Sequence, residues 1–341
     1  MEKLVVAVIG LGMGRLHLQG VIAYGAEVGM ICDIDPKKLS CVGDEFGIPA
    51  EKRTENWIDI VNDKEINTVV IATPDQLHRE MVERLLEAGK HIMCEKPLAL
   101  LREDVDAIVR AVRNHPECRF MIGQICRFTP SFIKAKEMVD AGMLGELYYV
   151  EGEYAHDYKH MFDVDPKNWR SDPNRHGVVG GGCHSVDLLR WIVGSDPTEV
   201  FAYGTHKLLP DVTYDDATVS VLKFPGNIMG KVFVSTGCKR NYTMRTCLYG
   251  TKGTLIFDNK SPNMEFFGVN ENSDVKPVEL IPIDVNNHNA VDEFAAFART
   301  VEQGLPMEMP VEEGAKTVVA CLAIVESSVT GQIVKPDYTF N

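Results

Sequence analysis

The feature that most constrains this chain lies near its start. A short apolar run, residues 4–9, passes directly into Gly10-Leu11-Gly12-Met13-Gly14-Arg15 and then into a helix-forming stretch. Strand, glycine turn and helix in that order open a doubly wound parallel sheet. Glycines are needed at the turn because a side chain would hold the backbone away from a pyrophosphate, whose charge is met by the amides and the positive end of the following helix. Such a turn also occurs with no ligand, so its surroundings must supply the rest. Asp33 does so: it ends the second apolar run, with Ile34 beside it. An acid there accepts hydrogen bonds from a ribose and repels a 2′-phosphate, which favours NAD. Lys37 and Lys38 lie close enough in sequence to leave NADP open, and a helix cap before Pro36 is the ordinary reading of Asp33. The usual Gly-x-Gly-x-x-Gly spacing places its third glycine at Arg15, whereas here Gly14 comes one residue early. The turn is therefore expected to be shorter, with Arg15 either reaching a phosphate or lying exposed at the helix start.

Further along, apolar bursts at 28–32, 68–72, 91–94 and 119–122 alternate with amphipathic stretches. Residues 75–89 show one crossover helix, with Leu77, Met81, Leu85 and Ala88 at helical spacing and Gly89 as a stop. Short apolar runs separated by helices imply parallel strands covered on both faces. Beyond residue 123 the texture changes to one helix over 131–141 and strands over 147–154, 198–203, 217–224, 228–234, 244–249 and 254–257. Turns at Pro225-Gly226-Asn227 and Gly250-Thr251-Lys252-Gly253 join neighbours closely, which means antiparallel pairing. Two late helices follow, near 290–303 and 311–330. The predicted fold is α/β. It has an N-terminal Rossmann doubly wound domain over 1–124 and a C-terminal α/β domain over 125–341 with a large, mostly antiparallel open sheet. The late helices are expected to pack back toward the first domain.

The 341 residues are 45% hydrophobic, enough for a sizeable core. No run approaches the roughly 18 apolar residues of a membrane span, and the N-terminus reads as a strand, not a signal peptide. A cytoplasmic protein is expected. Nine cysteines without a Cys-x-x-Cys pair suit thiols, not disulfides. A net charge of -14 with no dense basic run argues against nucleic acid as a partner.

Candidate chemistry gathers where strands end. Ala72-Thr73-Pro74 and Cys94-Glu95-Lys96-Pro97 bring polar residues to the carboxyl edge of the first sheet, where ligands bind in such folds. Oxidising an alcohol requires a hydroxyl proton to leave as hydride goes to nicotinamide, and Lys96 is suited to orient or relay that proton, with Glu95 steering the amine. A surface Glu–Lys pair is the plain alternative. Trp169-Arg170 comes next, then the run from Gly177 through Gly180-Gly181-Gly182-Cys183-His184 to Asp187. It places His184 near a helix start as an acid or base partner, or else as a buried hydrogen-bonded histidine. Tyr154, His156, Asp157 and His160 cluster after a strand as candidate pocket walls. With His184 they form a loose set of metal-ligand types, but the spacing matches no zinc pattern and no metal is expected.

Taken in order, Gly10-x-Gly12, Asp33, Ala72-Thr73-Pro74 with His78, Glu95-Lys96-Pro97, Arg127-Phe128, Gly142-x-x-Gly145, Trp169-Arg170, His184-x-x-Asp187 and Glu326-Ser327 with Gly331 resemble the glucose-fructose oxidoreductase / inositol dehydrogenase / MocA family from end to end. The resemblance implies an NAD(P)-dependent oxidoreductase moving a hydride between nicotinamide and a ring hydroxyl of a sugar, cyclitol or glycoside. It implies Lys96 between nicotinamide and substrate and His184 on the reacting hydroxyl. Thr73, Pro74, His78 and Glu95 would line the cofactor site, Trp169 and Arg170 would close over it, and Arg127, Trp169 and Asp187 would join the substrate pocket. Homodimers or homotetramers through the C-terminal sheet are implied as well. Many members carry an Asp four residues before the histidine; here that position is Gly180, so Asp157 or Asp187 would take the part, or Lys96 and His184 act without it. A redox-neutral glycoside-processing enzyme with tightly held NAD, or a non-catalytic nucleotide or sugar sensor, fits the same fold.

Overall fold

The computed structural model describes residues 3–165, 167–210, 212–285 and 288–340. The chain divides into two compact units. The first comprises Met1–Ile125, Asn289–Ala315 and Thr339–Asn341; the second comprises Cys126–His288 and Lys316–Tyr338.

In the first unit, β1 (Val5–Ile9), β2 (Glu27–Cys32), β3 (Arg53–Thr54), β4 (Thr68–Ile71), β5 (His91–Glu95) and β6 (Phe120–Gly123) form one parallel sheet. Its order is β3-β2-β1-β4-β5-β6, so the direction of winding reverses between β1 and β4. That reversal opens a crevice at the carboxyl ends of the strands. β4 and β6 are buried at every position, as their unbroken apolar runs require of strands covered on both faces. The stretch 75–89 resolves into a short 3-10 turn, Asp75–Leu77, and the helix His78–Glu87. Helix Gly14–Tyr24 lies against helix Ala290–Gln303, close enough that a side chain at Gly20 would overlap the Ala290 carbonyl. Tyr24 Oη donates to Glu302 across this contact at 2.6 Å. The division between the units falls inside helix Val311–Thr330, between Ala315 and Lys316.

The second unit holds β7 (Leu147–Ala155), β8 (Glu199–Thr205), β9 (Ala217–Phe224), β10 (Ile228–Ser235), β11 (Arg245–Gly250), β12 (Gly253–Asp258), β13 (Asn263–Gly268) and β14 (Glu279–Pro282). They form one sheet in the order β14-β13-β12-β11-β7-β10-β9-β8. Every pairing is antiparallel except β7 with β10, which run parallel. On one face, Gly152 of β7 leaves room for Ser185 and Leu189 of helix Cys183–Val193. β9 alternates buried with exposed, and Tyr203, Val219, Val221 and Met229 stand exposed on the sheet. None of the nine cysteines is in a disulfide. Among the described residues no helix is long and apolar enough to cross a membrane.

Candidate functional site

The glycine turn has distinct physical reasons for each of its glycines. Gly10 has φ 86°, and a Cβ there would lie 2.5 Å from the Ala72 carbonyl oxygen, so only glycine satisfies both the backbone and the neighbour. Around Gly12 nothing lies within 4 Å of where a Cβ would project, leaving the backbone open to a phosphate. A Cβ on Gly14 would come 2.8 Å from Val8 Cγ1, so Gly14 permits close packing of its helix on β1. That is the task of the third glycine, performed one residue early. Asp33, 6% exposed at the end of β2, ties the turn together. Its Oδ2 accepts the Leu11 N–H at 2.8 Å, Oδ1 accepts from Asp35 N–H at 2.9 Å, and Lys38 Nζ approaches to 3.2 Å. Ile34 and Met13 are exposed beside this turn. These features fit a dinucleotide. Of the two expectations for Arg15, the exposed arginine at the helix start is the one observed: its guanidinium is bidentate on Glu45, at 2.7 and 2.5 Å, on the surface.

At the carboxyl edge, Ala72, Thr73 and Pro74 leave β4, and Lys96-Pro97 follows β5 through a cis peptide bond. His78 does not line this edge as an open side chain. It is fully buried, with Nδ1 3.0 Å from the Pro97 carbonyl and Nε2 3.3 Å from that of Thr73, and so braces the two loops. Glu95 also differs from its expected part. One oxygen contacts His17 Nε2 at 2.7 Å, and the other accepts the Lys96 backbone N–H at 3.0 Å, so it positions the lysine's backbone. Burial raises the Glu95 pKa, but the His17 hydrogen bond and the His17 and Lys96 charges outweigh it and hold the carboxyl below its usual range. Glu293 completes the cluster, 3.8 Å from His17 Nδ1. Burial, with the Glu95 charge behind it, drives its pKa well above the ordinary value. His17 and Glu293 escaped the sequence reading. Their one signal was an acid within the apolar stripe of Ala290, Phe294 and Phe297.

In the second unit, His184 stands in the first turn of helix Cys183–Val193, just beyond the short helix Gly177–Gly180. Cys126 Sγ lies 3.3 Å from His184 Nδ1, Tyr154 stacks on the imidazole at 6.2 Å, and the His288 ring is 6.4 Å away. Tyr154 Oη bonds Tyr158 Oη at 2.8 Å and His156 Nδ1 at 3.2 Å, and Tyr242 lies 4.9 Å from His156 and stacks on His288. Burial, then the neighbouring phenols Tyr158 and Tyr242, push the Tyr154 pKa far up, and burial does the same to Tyr242, so both phenols keep their protons. The structure thus gathers His184, Tyr154 and His156, adds Tyr158 from the same segment, and brings in Cys126, Tyr242 and His288, which lie too far apart in sequence to be associated.

Other predicted substrate residues turn elsewhere. Arg127 and Asp187 are buried on each other, Nε to Oδ2 at 2.9 Å and Nη2 to Oδ1 at 2.7 Å, with Thr317 donating to the same carboxylate at 2.9 Å. They pin a helix and are not offered to a ligand. Asp157 pairs with Lys239 at 3.3 Å and caps the Lys159 N–H, while His160 bonds the Asp157 carbonyl. Trp169 is clasped by Arg170 and Arg175, their guanidinium carbons 4.2 and 4.5 Å from its ring centre. At Gly180 the Arg175 guanidinium lies where a Cβ would project, and its Nη2 donates to the Gly180 carbonyl at 3.3 Å. A Cβ on Gly181 would likewise lie 2.5 Å from Tyr154 Cε1. Of the acids weighed for that part, Asp157 is paired with Lys239 and Asp187 with Arg127.

A doubly wound sheet with this glycine turn, joined in one chain to an open eight-stranded sheet, defines the class: an NAD-binding oxidoreductase. Residues 4–124 match the oxidoreductase family with NAD-binding Rossmann fold, and residues 132–256 match the GFO/IDH/MocA C-terminal domain. The chain belongs to the GFO/IDH/MocA family, and relatives named as dehydrogenases support an enzyme acting on CH–OH groups. Inositol 2-dehydrogenase of Salmonella typhimurium (strain LT2) is 25% identical over 342 residues, covering 97% of this chain and 98% of that protein. Levoglucosan dehydrogenase of Pseudarthrobacter phenanthrenivorans is 27% identical over 299 residues, covering 76% and 74%. Among solved structures, a levoglucosan dehydrogenase in complex with NADH superposes with TM-score 0.88 at 24% identity, covering 98% of this chain and 100% of that one. The fold is shared.

Proposed function

We propose that the protein is an NAD-dependent dehydrogenase acting on a ring hydroxyl of a sugar, cyclitol or glycoside. The observation that carries this reading is Lys96, set directly after β5 at the carboxyl edge of the sheet with its backbone held by the buried Glu95–His17 pair. NAD, when bound, supplies the hydride acceptor. Gly10, Gly12 and Gly14 give the pyrophosphate its close approach, and Asp33 presents a carboxylate to the ribose while holding the turn through the Leu11 amide. Lys96 is assigned the proton that leaves the hydroxyl, and His184 the binding of a substrate oxygen. Tyr154, His156 and Tyr242 supply aromatic and hydrogen-bonding surface of the kind that polyhydroxylated rings contact. The names inositol 2-dehydrogenase and levoglucosan dehydrogenase among the relatives support that substrate class. We also infer that the exposed apolar face of the second sheet meets another copy of the chain.

The test is nicotinamide absorbance with a panel that includes myo-inositol and levoglucosan. Turnover of at least one member is expected. Lys96→Ala should lower kcat by on the order of 10²- to 10⁴-fold while NAD affinity stays within about twofold. Protein that binds NAD yet turns over none of a broad panel would overturn the reading.

A further inference from the structure

We propose that Cys126, His184 and His288 form a binding site for one divalent transition-metal ion of the zinc class. Their three ligand atoms all lie within 4.8 Å of one another, inside the second unit. Around a tetrahedral zinc, with bonds of about 2.3 Å to sulfur and about 2.0 Å to nitrogen, neighbouring ligand atoms stand roughly 3.5 Å apart. Cys126 Sγ and His184 Nδ1, at 3.3 Å, already have that separation. The widest gap, at most 4.8 Å, exceeds that separation by no more than about 1.3 Å. One thiolate with two imidazoles is a borderline-soft donor set that selects zinc or cobalt over magnesium or calcium.

The surroundings fit such a centre. Cys126 and His184 are buried and His288 half-buried, so the donors stand in a largely dry recess. Tyr242 lies nearly parallel to the His288 ring, at 9°, and Tyr154 stacks on His184, which orients both imidazoles. Met244 Sδ is 3.9 Å from Cys126 Sγ, adding a second soft atom beside the thiol. Sequence spacing gave no hint, because the ligands come from chain positions 126, 184 and 288.

Three protein ligands leave a fourth corner open to water or to a substrate oxygen, the arrangement of catalytic rather than structural zinc. An ion there would make a coordinated hydroxyl more acidic, so His184 would bind the substrate oxygen through the ion it ligates. This last step rests on the dehydrogenase reading; binding of the ion does not.

The experiment is cobalt titration of the chelator-stripped protein, read by absorbance, with NAD binding followed separately by fluorescence. One equivalent of Co²⁺ per chain should bind, with a thiolate-to-cobalt charge-transfer band and tetrahedral d–d bands. Cys126→Ser should lose the charge-transfer band, and His288→Gln should weaken Co²⁺ binding by on the order of tenfold or more. Both variants should keep wild-type NAD affinity, which shows that they fold. Absence of saturable cobalt binding, or a cobalt spectrum unchanged in both variants, would overturn the site. Cobalt binding as expected without turnover of any sugar upholds the site and counts only against the dehydrogenase reading. Undiminished turnover by stripped protein would overturn the ion's place on the substrate hydroxyl.

Discussion

Glu293 is enclosed completely, and among the described residues neither of its carboxyl oxygens has a hydrogen-bond partner. Its raised pKa means that it is protonated in the folded protein under conditions where the unfolded chain would have released the proton. The folded state then binds the extra proton, so stability is greatest below the ordinary carboxyl range and declines as pH rises from there toward the folded pKa. The decline is about 1.4 kcal/mol for each pH unit of that interval. Glu293→Gln, which keeps the neutral shape, is expected to leave the Tm near that of wild type at acid pH and to raise it at neutral and alkaline pH. Thermal unfolding across a pH series checks this, and a Tm difference that does not grow with pH would refute it. At this scale the sequence was only partly legible. The placement of Lys96, Asp33 and His184 at strand and helix ends was readable from local spacing. The pairing of Arg127 with Asp187 was not readable, because a charged residue looks the same in sequence whether it faces a ligand or a partner distant in sequence.

The helix Cys183–Val193 is fastened by that buried pair, since Arg127 precedes helix Pro130–Asp140 and Asp187 lies in the middle of the fastened element. Removing one member leaves an uncompensated charge in the interior. Asp187→Ala is therefore expected to destabilise the protein by about 3–5 kcal/mol, whereas replacing Arg127 by Met and Asp187 by Leu together should recover most of that loss. Urea unfolding of the single and double variants separates these outcomes; equal losses in both would contradict the argument. Most elements were legible because their burial follows their periodicity, as β9 shows with its strict alternation. β13 and β14 were not. The exposed β14 strand has no clean apolar alternation, and pairing with β13 rather than local pattern makes it a strand. β3, only two residues long, is likewise defined by its neighbour β2.

Across the whole chain, two kinds of surface stand out in the second unit's sheet: one face takes up helix Cys183–Val193, while Tyr203, Val219, Val221 and Met229 remain exposed. β9 pairs with both β8 and β10, which brings these side chains into adjacent rows. If this face joins copies of the chain, Val221→Glu combined with Val219→Glu should shift the mass measured by light scattering toward one chain without lowering Tm by more than a few degrees, because both side chains are already exposed. A wild-type protein of single-chain mass would refute the assembly. The glycines at 180 and 181 carry a different consequence, one for any acid introduced at this turn. Arg175 and Tyr154 occupy the volume their missing side chains vacate. An acid introduced at position 180 would stand against the Arg175 guanidinium, so its charge would be met by that arginine before it reached any ligand.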